Sequence, residues 1–178
     1  MCIRDSLNVT PDSFSDAGAF FDREKAIQRA LEMIAEGAEL LDIGGESTRP
    51  GSEPVSAEVE LERVLPVIEA IRRESNIPLS IDTTKAEVAR QALTAGADLI
   101  NDISALRFDE RMVQIAADSG APLILMHMQG TPRTMQDNPL YASLFSEIIA
   151  FLAERIRFAT DPGVARSPSV DNPGLAFV

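Results

Sequence analysis

The sequence predicts an α/β protein built on a parallel sheet, and two observations carry that expectation. An amphipathic segment ends three times at a Gly-Ala pair and is followed by a short apolar run. The pairs are Gly37-Ala38, Gly96-Ala97 and Gly120-Ala121, and the runs begin at Leu40, Leu99 and Leu123. Gly suits the left-handed position just past a helix, and the runs suit parallel strands buried on both faces. The intervening segments show helical apolar spacing, and strands alternating with helices at this interval give βαβ units.

The elements follow in order. Strands are expected near Leu7, Leu40, Leu79, Leu99 and Leu123, with a possible sixth near Val170. A first helix is expected from about Arg23 to Glu36, with Asp22 as N-cap and Ile27, Ala30, Leu31 and Ile34 on one face. A second runs from about Ala57 to Arg73, with Leu61, Val64, Leu65, Ile68 and Ile71 inward. A third opens with the capping box Thr84-Lys85-Ala86-Glu87 and buries Val88, Ala92 and Leu93. A fourth spans about Asp109 to Ser119. A fifth spans about Ser143 to Arg157, with Leu144, Ile148, Phe151 and Leu152 in register.

Two architectures satisfy this alternation. A (β/α)8 barrel needs about 250 residues, so a chain of 178 would supply only part of one. An open doubly wound sheet fits the length, but it usually carries a Gly-rich dinucleotide fingerprint after its first strand, which is missing here. Both ends depart from the pattern. Arg4 and Asp5 sit where a buried first strand should be apolar, so residues 1–6 read as a foreign leader. From Thr160 the helical pattern dissolves into Pro- and Gly-rich sequence, so the domain spans residues 7–178, with 160–178 departing from its pattern.

Composition narrows the function. With 45% hydrophobic and 25% charged residues, the chain can bury a core as one domain. No apolar run approaches the ~20 residues that span a bilayer, and no signal peptide is visible. A single cysteine, Cys2, excludes an internal disulfide framework, which suits a reducing, cytoplasmic setting. The net charge of −12 argues against a nucleic-acid partner. With only Lys25 and Lys85 as lysines, an anionic ligand must rely on a metal, local arginines or backbone N–H groups.

Polar residues recur at the carboxyl ends of the expected strands. They are Asn8, Asp42 with Glu46-Ser47-Thr48-Arg49-Pro50-Gly51, Asp82, Asn101-Asp102, and His127 with Gln129. In a parallel barrel these ends meet on one face. Singly, each has a structural alternative. Asn8, Asn101 or Asp102 could be a turn residue, Asp82 could lead into a helix cap, and Gly44-Gly45 could serve close packing. His127 reads as a packed core residue, Met126 and Met128 as packing, and Glu53 to Glu62 as a solvated helix face.

The segments Leu7-Asn8-Val9-Thr10-Pro11-Asp12-Ser13-Phe14-Ser15-Asp16, Asp42-Ile43-Gly44-Gly45-Glu46-Ser47-Thr48-Arg49-Pro50-Gly51, Ser80-Ile81-Asp82-Thr83, Ile100-Asn101-Asp102-Ile103 and Leu125-Met126-His127-Met128-Gln129-Gly130 stand in this order. Together they resemble the dihydropteroate synthases over roughly Leu7 to Arg157. The resemblance implies a (β/α)8 TIM-barrel fold, here truncated to about five or six βα units. It implies condensation of 6-hydroxymethyl-7,8-dihydropterin pyrophosphate with p-aminobenzoate, releasing pyrophosphate with Mg²⁺ present. It places Asp82 and Asn101 on the pterin, with an Asp from an Asp-Pro-Gly segment on the sixth strand. Asp171 is favoured for that role over Asp161, although Asn172 interrupts the segment. Asn8 would be the Mg²⁺ ligand. Thr48 and Arg49 would meet substrate, Arg49 as an anion or ring-stacking partner, and Phe14 and Pro50 would form apolar walls. Asp82, Asn101 and Arg49 are the expected catalytic residues. The full-length family is expected to be homodimeric.

The family's later Ser-Arg-Lys segment is not found in this sequence, so the chain as written is expected to be poorly stable and without synthase activity. Two alternatives remain at this stage: a pterin-binding methyltransferase domain on the same barrel, and a non-catalytic pterin-binding module. The Asn-Val-Thr-Pro-Asp-Ser-Phe-Ser and Ser-Thr-Arg-Pro-Gly segments count against the methyltransferase.

Overall fold

A computed structural model describes residues 3–10, 18–47, 53–161 and 176–177. The elements run β1 (Arg4–Asn8), α1 (Gly18–Ala35), β2 (Leu40–Gly44), α2 (Ala57–Glu74), β3 (Leu79–Asp82), α3 (Ala86–Ala95), β4 (Leu99–Asp102), α4 (Arg111–Ser119), β5 (Leu123–Met126), α5 (Leu144–Thr160) and β6 (Ala176–Phe177). The strands form one parallel sheet in the sequential order β1-β2-β3-β4-β5-β6. A doubly wound sheet reverses its strand order part-way; this one never does. Successive helices therefore lie side by side, α1 on α2, α2 on α3 and α3 on α4. That is the barrel arrangement, and it decides between the two architectures the sequence allowed. Among the described residues β1 and β6 each pair on one side only.

The core follows from strand chemistry. Leu41, Ile43, Leu79, Ile81 and Ile100 are fully buried, with Leu125 nearly so. Against them pack Ala26 and Ala30 of α1, Val64, Val67, Ile68 and Ile71 of α2, and Val88, Ala89 and Ala92 of α3. The glycines of the three Gly-Ala pairs all take positive φ, 104° at Gly37, 117° at Gly96 and 69° at Gly120. At Gly96 the turn is also pinned from outside: the Arg72 guanidinium donates to its carbonyl at 2.6 Å.

Several local expectations need correction. Helix α1 begins at Gly18, so Asp22 lies inside it and is no N-cap. Its buried stripe is centred on Ala26, Ala30 and Met33, while Leu31 is exposed, because it sits about 100° round the helix from Ala30. Leu144 of α5 is exposed as well, beside Phe145 and Ile149. The capping box before α3 does not form. Lys85 occupies the N-cap in an extended conformation without a side-chain cap, and the Ala86 N–H donates instead to Asp109 at 3.0 Å. A carboxylate brought in by the chain after β4 satisfies the helix start, so no local cap is needed. Glu60 is not on a solvated face: it is wholly buried in α2. The sixth strand is the pair Ala176–Phe177, beside Leu125 and Met126, while Val170 lies outside the described residues. Arg4, Asp5 and Ser6 pair in register with Leu40, Leu41 and Asp42, as part of β1.

Candidate active site

The register of the sheet assembles the site. Asn8 pairs with Gly44, Gly44 with Asp82, and Asp82 with Asn101. These four residues form one row across the carboxyl ends of β1 to β4. Residues two apart on a strand share a face, so Asp42 lies one layer below Gly44 and faces the same way. Gly44 keeps the row open: a Cβ there would sit 3.3 Å from Asn8 Oδ1 and 3.5 Å from Asp82 Cβ.

Asp42 is the hub of the lower layer. It is buried and accepts hydrogen bonds from Ser80 Oγ and, at 2.9 Å, from Asn101 Nδ2. The Arg4 guanidinium stands 3.6 Å away. Burial raises the Asp42 carboxyl above its usual range against the opposing pull of Ser80, Arg4 and Asn101. Asp82 is half-buried at the cavity wall and closely surrounded by protein. Burial first, and then the negative charge of Asp42, push its carboxyl up to about 8. Two carboxyls this strongly linked titrate as a pair.

Asn101 and Asp102 separate by role. Asn101 is oriented by Asp42. Asp102 faces away and holds the turn after β4, accepting from Ser104 N at 2.8 Å and Leu106 N at 2.9 Å. Ala105 and Leu106 in that turn have φ of 53° and 64°. His127 packs edge-on against Phe151, its ring centroid 5.0 Å away, and tilts toward Tyr141. Burial and the nearby Arg107 lower its pKa; it packs against rings as expected, but it is half-buried one residue past β5 and stands outside the core, because the strand ends at Met126.

A cavity of about 340 Å³ opens beside this row. Glu46, Ser47 and Pro54, from the chain after β2, line it with Asp82, Thr83, Thr84 and Lys85, from the end of β3 and the turn beyond it. Ile103, Phe108 and Arg133 also line it. Lys85 Nζ donates to Glu46 and, at 2.6 Å, to buried Glu60. Burial lowers the Lys85 pKa, but the hydrogen bonds of the two carboxylates outweigh it and leave the ammonium raised. From sequence, Asp42 counts only as one of the strand-end polar residues, Glu60 as part of a solvated helix face and Lys85 as part of a capping box; none of the three is expected as a site residue. Glu60 had a legible signal, since it stands four residues before Val64 on the apolar stripe of α2. Asp42 had one too, two residues before Gly44 on the same strand face.

Gly45 shows why the Gly-Gly pair follows β2. A Cβ there would meet Glu60 Cγ and Val64 Cγ1 at 2.9 Å and Glu60 O at 3.0 Å, and Arg63 Nη1 donates to the Gly45 carbonyl at 2.7 Å. Helix α2 therefore rests directly on this backbone. Gly45→Ala is expected to cost about 1–3 kcal/mol through overpacking, read as a lower urea midpoint with an unchanged m-value.

Thr48, Arg49, Pro50, Phe14 and Asp171 lie outside the described residues. Asp161 does not reach the site. It is the C-cap of α5, and a helix that returns between parallel strands ends at the amino end of the sheet, opposite the row. Among the described residues no group of three or more His, Cys, Asp or Glu could hold a metal, and no helix is long and apolar enough to cross a membrane.

The family profile described as pterin binding enzyme matches residues 5–177. The chain belongs to the pterin-binding enzyme family. It is 50% identical over 171 residues to a dihydropteroate synthase of Synechocystis, covering 96% of this chain and 59% of that protein. It is 45% identical to the dihydropteroate synthase of Escherichia coli, covering 60% of it. This member of the family thus spans about three-fifths of the length of these relatives. Among solved structures, the Yersinia pestis dihydropteroate synthase with a sulfonamide drug complex superposes with a TM-score of 0.83 at 45% identity, covering 93% of this chain and 60% of that one. The Xanthomonas albilineans dihydropteroate synthase with 4-aminobenzoic acid superposes with a TM-score of 0.81 at 47% identity, covering 89% and 55%. The same enzyme is also known in complex with 7,8-dihydropteroate, at a TM-score of 0.76. The pterin-binding (β/α) barrel implied by the sequence motifs is the fold of these neighbours.

Proposed function

We propose that this chain carries the pterin half of a dihydropteroate synthase site, joining 6-hydroxymethyl-7,8-dihydropterin pyrophosphate to p-aminobenzoate. The observation that carries the reading is the single row Asn8, Gly44, Asp82, Asn101 at the strand ends, with Asp42 buttressing it. The neighbours holding 4-aminobenzoic acid and 7,8-dihydropteroate support the same ligand classes.

Each residue type suits the chemistry. The pterin's 2-amino-4-oxopyrimidine edge carries adjacent N–H donors, and the Asp82 carboxylate accepts two of them in one plane. Asp42 takes the Asn101 NH₂, which leaves Asn101 Oδ1 for the heterocycle. When the C–O bond at the pterin methylene breaks, positive charge spreads over the ring and pyrophosphate leaves. The buried carboxylates stabilise that charge until the arylamine attacks the methylene carbon and loses its proton. Arg49 and Thr48 would meet substrate, Phe14 and Pro50 would wall the arylamine, and Asp171 would add a further acceptor on the pterin.

The exposed Asn8 amide fits a Mg²⁺ carried in by the pyrophosphate, because Mg²⁺ takes few protein ligands beside phosphate oxygens. When bound, that ion would neutralise the leaving group. Gly44, lacking a side chain, leaves the space beside Asn8 Oδ1 clear.

Isothermal titration tests the reading. Binding of the pterin pyrophosphate that strengthens with Mg²⁺, and weakens in Asn8→Ala only when Mg²⁺ is present, is the expected result. Pterin binding indifferent to Mg²⁺ would favour a non-catalytic module, and no pterin binding would overturn the assignment.

A further inference from the structure

Glu60 is fully buried, yet only one of its carboxylate oxygens has a partner: Oε2 meets Lys85, and Oε1 has none. An ionised group in that position is costly, and hydrophobic residues of similar volume would fill the α2 stripe at least as stably. Its retention calls for a role that a Met or Leu could not perform. The role is visible one bond further on. Lys85 Nζ also holds Glu46, and Glu46 Oε2 accepts from the Val55 N–H at 3.3 Å. Glu46 and Pro54, from the chain after β2, line the cavity together with Asp82 to Lys85, from the end of β3 and the turn beyond it. A chain of hydrogen bonds therefore runs from Glu60 through Lys85 and Glu46 to Val55, and ties the two lining segments together. Gly45 lies against Glu60, so the anchor and the segment after β2 share one packed contact.

We propose that Lys85, seated on Glu60, is a positioning residue that sets the spacing of the ligand cavity by fixing Glu46 and Val55, after β2, against the segment Asp82 to Lys85. Lys85 touches no reacting atom in this scheme. The proposal rests on the pterin reading for its consequence in binding, and on the hydrogen-bond chain for its structural part.

The test uses the full 178-residue chain, with 6-hydroxymethylpterin as a fluorescent probe and amide hydrogen exchange read residue by residue. Lys85→Met alone strands Glu60 without a counter-ion and endangers the fold. The decisive variant is therefore the double substitution Lys85→Met with Glu60→Met, which replaces the pair by apolar side chains. It is expected to keep the exchange protection of Ile81 and Ile100, to speed exchange at Val55 about tenfold, and to weaken pterin binding about tenfold. Lys85→Arg, which keeps the charge and can reach both carboxylates, is expected to restore Val55 protection and affinity. Unchanged Val55 exchange in the double variant would overturn the proposal, as would unchanged affinity with Val55 released. If the parent protein binds no pterin, the functional reading fails, and Val55 exchange alone then decides whether Lys85 positions the segment after β2.

Discussion

Replacing Asp82 with Asn is expected to weaken pterin binding by on the order of 100-fold and, at the same time, to stabilise the ligand-free protein at alkaline pH. The binding loss comes from two hydrogen bonds to a charged acceptor, worth roughly 1.5–3 kcal/mol each. The Asn amide can accept once, but its NH₂ meets the second pterin N–H as a donor. The stability gain comes from the carboxyl being held at about 8 in the folded protein, above the ordinary aspartate value of 3.8. The folded state holds this proton more tightly than the unfolded chain. The stabilisation is complete below about pH 4 and is lost as pH rises through about 8. Asn has no proton to lose. Its melting temperature should match the parent below about pH 4 and exceed it by a growing margin up to about pH 8 and beyond, where each 1 kcal/mol is worth about 2–4 °C. Thermal scans across that range check this, and a gap that does not widen with pH would refute it.

The same carboxyl makes binding depend on pH. A pterin edge needs the charged form, and the free protein holds the neutral one below about 8. Affinity should rise as pH climbs towards 8 and level off beyond it, with a proton released on binding near neutrality. Titrations in buffers of different ionisation enthalpy measure that proton directly.

Asp102→Ala is expected to destabilise the protein by about 2–4 kcal/mol while leaving the row of the site chemically intact. The carboxylate accepts from Ser104 N and Leu106 N, and both residues are fully buried. Each orphaned buried N–H costs roughly 1–3 kcal/mol. Ala105 and Leu106 also have left-handed φ, which costs a non-glycine residue on the order of 1–3 kcal/mol and persists only where surrounding bonds enforce it. Arg155 holds the other side of this turn, donating to Ala105 O at 2.7 Å, so the turn should loosen but stay seated. A lowered urea midpoint checks the cost. Asp102→Asn keeps an acceptor for one N–H and should lose about half as much.

The strand and helix order was legible because Gly-Ala punctuation and apolar periodicity are local properties. The Gly at each helix end needs positive φ whatever packs around it, and runs such as Leu40-Leu41-Asp42-Ile43 need burial wherever they lie. The strand-end residues Asn8, Asp82 and Asn101 were legible for a related reason: parallel strands place their carboxyl ends on one side, so sequence position translates into a face. The start of α3 was not legible. A Thr-x-x-Glu pattern is a local signal, and it lost to Asp109, a partner more than twenty residues away that folding brings to the Ala86 N–H. Glu60 misled for another reason. Its neighbours Glu58 and Glu62 lie outside the buried set of α2, and the acidic run hid the i, i+4 spacing from Glu60 to Val64 that marks the inward face.

The sequence by itself determined that the chain is a parallel βα protein, that its polar residues gather at the strand ends, and which family its motifs resemble. These rest on local periodicity and on the order of motifs, which need no partner to be read. The tertiary structure decided what those residues do to one another. Sequential strand order gave the barrel sense of the sheet. Register set Asp82 beside Asn101 and put Gly44 between Asn8 and Asp82. Burial turned Asp42 and Asp82 into a linked pair and joined Lys85 to Glu46 and Glu60. Charges far apart in sequence interact only when folding removes the water between them, and no local pattern records that.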